Sequence, residues 1–275
     1  MLIVNFTISF PFFFLRWLYE VSNKCMLILM HYWNKNKEYT YVSTPLIHGD
    51  IAINLQRNAH ACTAAGCKWP KTGGYVYVPV MISSGFSTQE SLTIIDGLIS
   101  FYEKTCIRFM WKRRWHRDFL DFFPGSGCWS YLGRQPGGQE ISLQKFGCVN
   151  LGTVQHEVLH ALGFHHEQVR SDRDDHVIIH FENVKRGTEH NFDKEETNNL
   201  GSPYDFNSIM HYNNFAFSKN QRPTIVAKSN PNLLFGLARE MSSNDIARVN
   251  ALYGCGKFKT TGVSICDNKL ILQLT

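Results

Sequence analysis

Four imidazoles and one carboxylate fall within eleven residues of this chain, in the run His156-Glu157-Val158-Leu159-His160-Ala161-Leu162-Gly163-Phe164-His165-His166. On a helix, four residues advance about 400° and roughly 6 Å, so His156 and His160 share a face and can reach one ion. Glu157 lies one step round from that face, where it is poorly placed to ligate and well placed to take a proton from a water on the metal. Gly163 has no Cβ and can adopt the left-handed conformation that ends a helix and turns the chain back, bringing a third histidine to the ion. Three neutral histidines leave one coordination position open, which is the mark of a hydrolytic rather than a structural zinc site. The expected cofactor is one catalytic Zn2+ per chain held by His156, His160 and His166. Glu157 is the expected general base, passing its proton to the leaving amine during peptide hydrolysis. His165 adjoins His166, so the residues by themselves leave two registers for the third ligand.

Elements of both kinds must position this run. Gly74 to Val80 reads as a strand from its tyrosines and valines. Ser87 to Lys104 reads as a helix: Ser87 and Glu90 form a capping box, and Leu92, Ile95, Ile99 and Tyr102 recur at helical spacing as a buried face. Asp118 to Phe123 and Gln139 to Gln144 read as strands around the turn Pro136-Gly137-Gly138. After Glu167 the chain reads as largely irregular until a short helix, Ser243 to Tyr253, stopped by Gly254. The fold class is therefore α+β, with a loop-rich second half and the metal in the cleft between the halves.

Downstream stands Ser208-Ile209-Met210-His211-Tyr212. The extended histidine motif followed by a methionine-containing turn is the metzincin signature. The glutamate directly after the third histidine, Glu167, and the tyrosine closing the methionine turn make the chain resemble the astacins. The resemblance covers roughly Asp50 to Cys255 and runs most strongly to fish hatching enzymes (choriolysins) and nephrosin. It is carried also by Cys67-Lys68-Trp69-Pro70-Lys71, Gly73-Gly74-Tyr75-Val76-Tyr77-Val78-Pro79, Tyr131-Leu132-Gly133-Arg134-Gln135 and Ser171-Asp172-Arg173-Asp174. It implies the zincin fold: a twisted mixed sheet with long helices above a loop-rich subdomain. It implies His166 rather than His165 as third ligand, leaving His165 a surface residue. It also implies Met210 as an apolar floor and Tyr212 as a movable further ligand that stabilises the oxyanion, and it makes Gln139 to Gln144 the edge strand that pairs with an extended substrate.

A chain of 275 residues with 44% hydrophobic and 19% charged content can bury one sizeable catalytic domain. The net charge of +5 is mild, and the basic cluster Lys112-Arg113-Arg114 reads as a solvated loop, so no nucleic-acid partner is expected. Eight cysteines without a Cys-x-x-Cys pair point to disulfides and an oxidising compartment. The resemblance implies Cys106 to Cys255, Cys128 to Cys148 and Cys62 to Cys67, with Cys25 and Cys266 outside the scheme.

Residues 1–33 are apolar and aromatic but make a poor signal peptide and a poor transmembrane helix, so no stable membrane association is expected. Residues 34–57 read as a short propeptide, 58–255 as the catalytic domain and 256–275 as a tail. Within the propeptide, Ile47-His48-Gly49-Asp50 resembles the family's latency motif, whose aspartate occupies the zinc; Ile47 stands where that motif has phenylalanine. Gln56-Arg57-Asn58-Ala59 reads as a site for a trypsin-like activating protease cutting after Arg57, and by resemblance the freed Asn58 would meet Glu167. The expected product is a secreted endopeptidase acting on extracellular protein, with egg-envelope glycoproteins as favoured substrate. A nephrosin-like matrix or immune-tissue protease is the alternative. A non-catalytic zinc-binding protein is the remaining class, and retention of Glu157 argues against it.

Overall fold

Tyr75–Ile82 forms the longest strand, because its alternating valines bury while the intervening tyrosines face outward. It is β4 of the computed structural model, which describes residues 44–53 and 67–256. Segment 1–33, the Arg57–Asn58 bond, Cys25, Cys62, Cys266 and the tail beyond 256 lie outside the described residues. Ahead of β4 come β1 (Leu46–Ile47), β2 (Ile51–Ala52) and β3 (Lys71–Thr72). After it come β5 (Ile107–Trp111), β6 (Phe119–Phe123), β7 (Cys128–Tyr131) and β8 (Gly138–Leu143). These eight form one mixed sheet in the order β1-β2-β7-β8-β6-β4-β3, with β5 also on β4. The α+β zincin architecture expected from the sequence is the one observed.

The order corrects one expectation. β8 is parallel to β6 on one side and antiparallel to β7 on the other, so it is an interior strand. Outside β8 on that side comes β7, and the two-residue β2 lies parallel along it through Ile51↔Ser130 and Ala52↔Tyr131. An edge strand is defined by the backbone groups it leaves unpaired, and which strand that is depends on a pairing between distant segments.

Helix α1 spans Thr88–Ile99 and carries the capping box read from Ser87 and Glu90. It is shorter than expected and buries a different stripe: Ser91, Ile94, Ile95 and Leu98 face the core. Beyond Ser100 one bond tightens, Tyr102 N–H on Ile99 O, and Thr105 N–H then returns to Phe101 O. That turn buries Phe101 edge-on to Phe109 at 5.7 Å. It also delivers Cys106 to Cys255. Helix α2, Leu151–Ala161, is capped by the Asn150 side chain, which accepts from Thr153 N–H. α1 packs on α2, and α2 on β7.

The second half is less irregular than its sequence reads. β9 (Val177–Ile179) and β10 (Ile225–Ala227) pair antiparallel, over a core of Val177, Val184, Phe192, Tyr204, Ile225 and Phe235. Helix α3, Ser243–Leu252, closes the domain. Among the described residues, no helix is long and apolar enough to cross a membrane.

Cys106–Cys255 and Cys128–Cys148 are both formed, as the resemblance implied, and Cys67 is disulfide-bonded. The first spans 149 residues and the second 20. By chain-entropy arguments they restrict the unfolded state by about 5 and about 3 kcal/mol. Denaturant unfolding of Cys106→Ser/Cys255→Ser should therefore show the larger loss of stability than Cys128→Ser/Cys148→Ser. An equal or smaller loss would mean that the long loop is already restrained when unfolded.

Candidate metal and catalytic centre

Helix α2 places His156 and His160 one turn apart, as the four-residue spacing requires. Gly163 sits at φ +105, and the turn there is closed by Gly163 N–H on His160 O and Phe164 N–H on Leu159 O. The chain then returns with His166 under the same face. The three Nε2 atoms converge: His160 to His156 is 3.1 Å and His166 to His156 is 3.3 Å. His166 is thus the third member, and His165 is directed elsewhere. His165 is not the surface residue expected, since its Nδ1 is out of solvent with no partner and burial pushes the ring down to about 4.

Two of the three rings are oriented from behind. His156 Nδ1–H donates to Ile209 O at 2.8 Å, and His160 Nδ1–H to Phe164 O at 2.7 Å. Each therefore presents its Nε2 lone pair inward, the tautomer a metal-ligating histidine needs. Ile209 belongs to the methionine turn, which Asp245 of α3 holds by accepting from Ser208 Oγ at 2.6 Å and from Ile209 N–H at 3.0 Å. Met210 is buried beneath, and its carbonyl accepts from Glu167 N–H at 2.9 Å. Asp245 was not singled out from sequence. Its signal was the Ser242–Asp245 capping spacing, which is present.

A fourth donor enters from the turn between β1 and β2. Asp50 places Oδ2 3.2 Å from His156 Nε2 and 3.2 Å from His166 Nε2, and Oδ1 3.1 Å from His166 and 3.5 Å from His160. Yet Asp50 Oδ1 is buried without a hydrogen-bond partner. Inward lone pairs and a carboxylate at these separations repel one another unless a cation lies among them. The donor set thus fits one tetrahedral zinc ion. Burial lowers His160, and lowers His166 to about 3; burial is also the largest single influence on His156, but the hydrogen bond and charge of Asp50, the Ile209 carbonyl and the charge of Asp245 together outweigh it and raise that ring.

Glu157 is 1% exposed, and its Oε2 has no partner. Burial, and then the charge of Asp50, raises its carboxyl well above the usual range. Tyr212 lies with its ring 4.6 Å from that of His166, and its hydroxyl donates to the carbonyl of His48. The tyrosine is therefore held by the segment carrying Asp50. Gly49 makes that approach possible: it sits at φ +81, and a Cβ there would lie 3.0 Å from the Tyr212 hydroxyl.

Glu167 is a buried charge that is already paired. Arg248 Nη2 donates to it at 2.8 Å and Arg170 Nη1 at 3.4 Å, and Asp205 N–H donates at 2.7 Å. Arg170 is in turn paired with Asp172 at 2.7 Å. Neither arginine was picked out from sequence: Arg248 turns inward from 81 residues away, where nothing local marks it, and Arg170 stands only three residues on.

The family model for the astacin peptidases matches residues 63–254. The chain belongs to the astacin family. This astacin is 46% identical over 213 residues to the low choriolytic enzyme of Oryzias latipes, covering 76% of this chain and 78% of that protein. It is 45% identical over 212 residues to high choriolytic enzyme 1 of the same fish, covering 76% and 78%. The solved structure of that second enzyme, described as a hatching enzyme zinc-protease, superposes with a TM-score of 0.69 over 72% of this chain and all (100%) of that one. The protein is accordingly a zinc metalloendopeptidase whose histidine group suits one metal ion.

His211, inside the methionine turn, sets an acid limit on the fold of this astacin. Its Nδ1–H donates to Tyr212 O at 2.7 Å, and its Nε2 accepts from the Tyr204 hydroxyl at 2.8 Å. Burial holds it neutral, pushed down to about 4 from 6.5. The unfolded chain therefore binds the proton first, so this contribution to stability is complete above pH 6.5 and is lost as pH falls toward 4. The loss amounts to about 3 kcal/mol. Comparing Tm between about pH 8 and about pH 4 with that of His211→Gln should show a shallower acid decline in the variant. Parallel profiles would remove His211 as a cause.

Proposed function

We propose that His156, His160 and His166 hold the zinc of an endopeptidase in which Glu157 is the general base. The observation that carries this reading is the convergence of three Nε2 atoms beside a buried, unpartnered carboxyl. Zinc bound there supplies Lewis acidity toward the scissile carbonyl and acidifies water. Glu157 accepts a proton from the attacking water and returns it to the leaving amine. Tyr212, once its hydroxyl leaves the His48 carbonyl, donates to the oxyanion. The side of β7 along which β2 lies receives an extended peptide by β-augmentation once β2 has left, positioning the bond without demanding one sequence.

Residues up to Arg57 act as a prosegment whose Asp50 fills the position a substrate needs, and β2 covers the strand that would pair with it. A trypsin-like protease cutting after Arg57 activates the enzyme. The freed Asn58 enters the partly open cavity lined by Cys67, Gly163, Glu167, Arg170 and Arg248. There it joins an ion-pair network that already exists, rather than neutralising a solitary Glu167. The enzyme is secreted and acts on egg-envelope proteins, a substrate class carried over from the choriolytic relatives. Trypsin-treated wild type is expected to swell and solubilise isolated egg envelopes, while Arg57→Ala stays latent under the same treatment. Equal activity of the two would end the activation model, and cleavage of casein without attack on envelopes would end the substrate assignment.

A further inference from the structure

A second donor cluster lies beside the first. His48, His165 and Glu195 each offer one ligating atom, and these atoms lie within 4.8 Å of one another. They come from three separate segments: the β1–β2 turn, the return after Gly163 and a loop of the second half. All three are anchored. His48 is 3% exposed at φ 47, and its carbonyl accepts from Tyr212. Glu195 is fixed by its own N–H, which donates to Val169 O at 2.7 Å. His165 follows the Gly163 turn that also sets His166.

The polar atoms of the cluster are incompletely matched by hydrogen. His48 Nε2 and Glu195 Oε1 lie 2.8 Å apart and share one hydrogen, while His48 Nδ1 faces only the distant Asn191 O at 3.5 Å. A cation can take the place of that shared hydrogen, since metal binding to imidazole releases a proton. A simple ion pair of His48 with Glu195 would satisfy those two groups and leave the third unexplained. His165 stands edge-on to His48 with ring centroids 6.2 Å apart, and its buried Nδ1 has no partner. Two imidazoles and one carboxylate are a donor set suited to zinc, which binds them at about 2.0–2.2 Å. Donors on one tetrahedral ion lie about 3.3–3.6 Å apart by those bond lengths. Small side-chain adjustments therefore close the site, with the fourth position left to water.

We propose that a second zinc ion binds between His48, His165 and Glu195 and clamps residues 44–53 to the catalytic domain in the uncleaved chain. One ligand is on the prosegment and two are on the enzyme, so the site ceases to exist when the prosegment departs. The precursor then carries two zinc ions and the activated enzyme one. Loss of the second ion on activation rests on the reading that cleavage follows Arg57, whereas the site itself requires only the uncleaved chain.

The test is metal stoichiometry of the full chain carrying Arg57→Ala and Glu157→Gln to keep it intact, equilibrated with zinc and freed of excess. Two zinc ions per chain are expected, falling to one in the same background with His48→Ala. Glu195→Gln, a near-isosteric change on a partly exposed side chain, should also give one and guards against misfolding of the histidine variant. One zinc in the parent, or two in both variants, overturns the proposal. Failure of the activation reading is seen separately, as no gain of peptidase activity when wild type is treated with trypsin.

Discussion

Glu157→Gln should leave the zinc content of the activated enzyme unchanged and reduce casein or gelatin hydrolysis by about 10³-fold, the scale of a positioned general base. The amide has the volume of the carboxyl it replaces and cannot accept the proton. Metal affinity should survive because the ring orientations depend on Ile209 O and Phe164 O, neither of which Glu157 touches. The side chain is 1% exposed, with Oε2 unpartnered, so the native carboxyl contributes no hydrogen bond there that the amide would break. Zinc analysis and hydrolysis rates on the same preparation read the two properties independently. Retained cleavage would assign the base elsewhere, and loss of zinc would make Glu157 a structural support. Chelation of the wild type should reproduce the loss of activity, and restored zinc should reverse it.

Asp50→Ala should give the largest gain. In the uncleaved Arg57→Ala chain, where latency is otherwise permanent, it is expected to raise hydrolysis of a short peptide by about 10²-fold, the advantage a tethered ligand has over a free one. Asp50 reaches all three Nε2 atoms at 3.1–3.5 Å. The rest of the segment does not reach the three rings: β1 and β2 are two residues each, and its other holds are the Tyr212 hydroxyl on His48 O and His48 on Glu195. Removing the carboxylate therefore opens the metal position to a short peptide even where those contacts persist. Asp50→Asn keeps the shape, loses the charge and should fall between the two. A variant as latent as its parent would show that β-pairing and Tyr212, rather than the carboxylate, maintain the block.

The parts of this site that were legible in the sequence are those that local geometry determines. His156 and His160 share a face because a helix turns once in about 3.6 residues. The chain returns after them because Gly163 alone in that run tolerates φ +105. The cap at Ser87 and Glu90 was equally local. The buried stripe of α1 was misjudged by one step of rotation, since several apolar positions offered competing faces and packing against α2 chose Ile94 and Leu98. The edge strand was misassigned for the same kind of reason. Gln139 to Gln144 has the alternation of a strand, but alternation says nothing about what lies on either side of it.

Residue chemistry at short spacing was enough to read a zinc donor set, a candidate base and the cysteines available for crosslinking. The remaining features of the centre depend on how distant segments pack. Packing directed His166 rather than its neighbour His165 toward the other two rings, gave Glu167 its arginine from 81 residues away, and brought Asp50 to His156 across 106. It also placed His48 against Glu195 across 147 residues. Spacing along the backbone fixes relative position within a turn or two of helix or strand. Beyond that, position is set by which apolar faces bury one another, and this is a property of the whole chain.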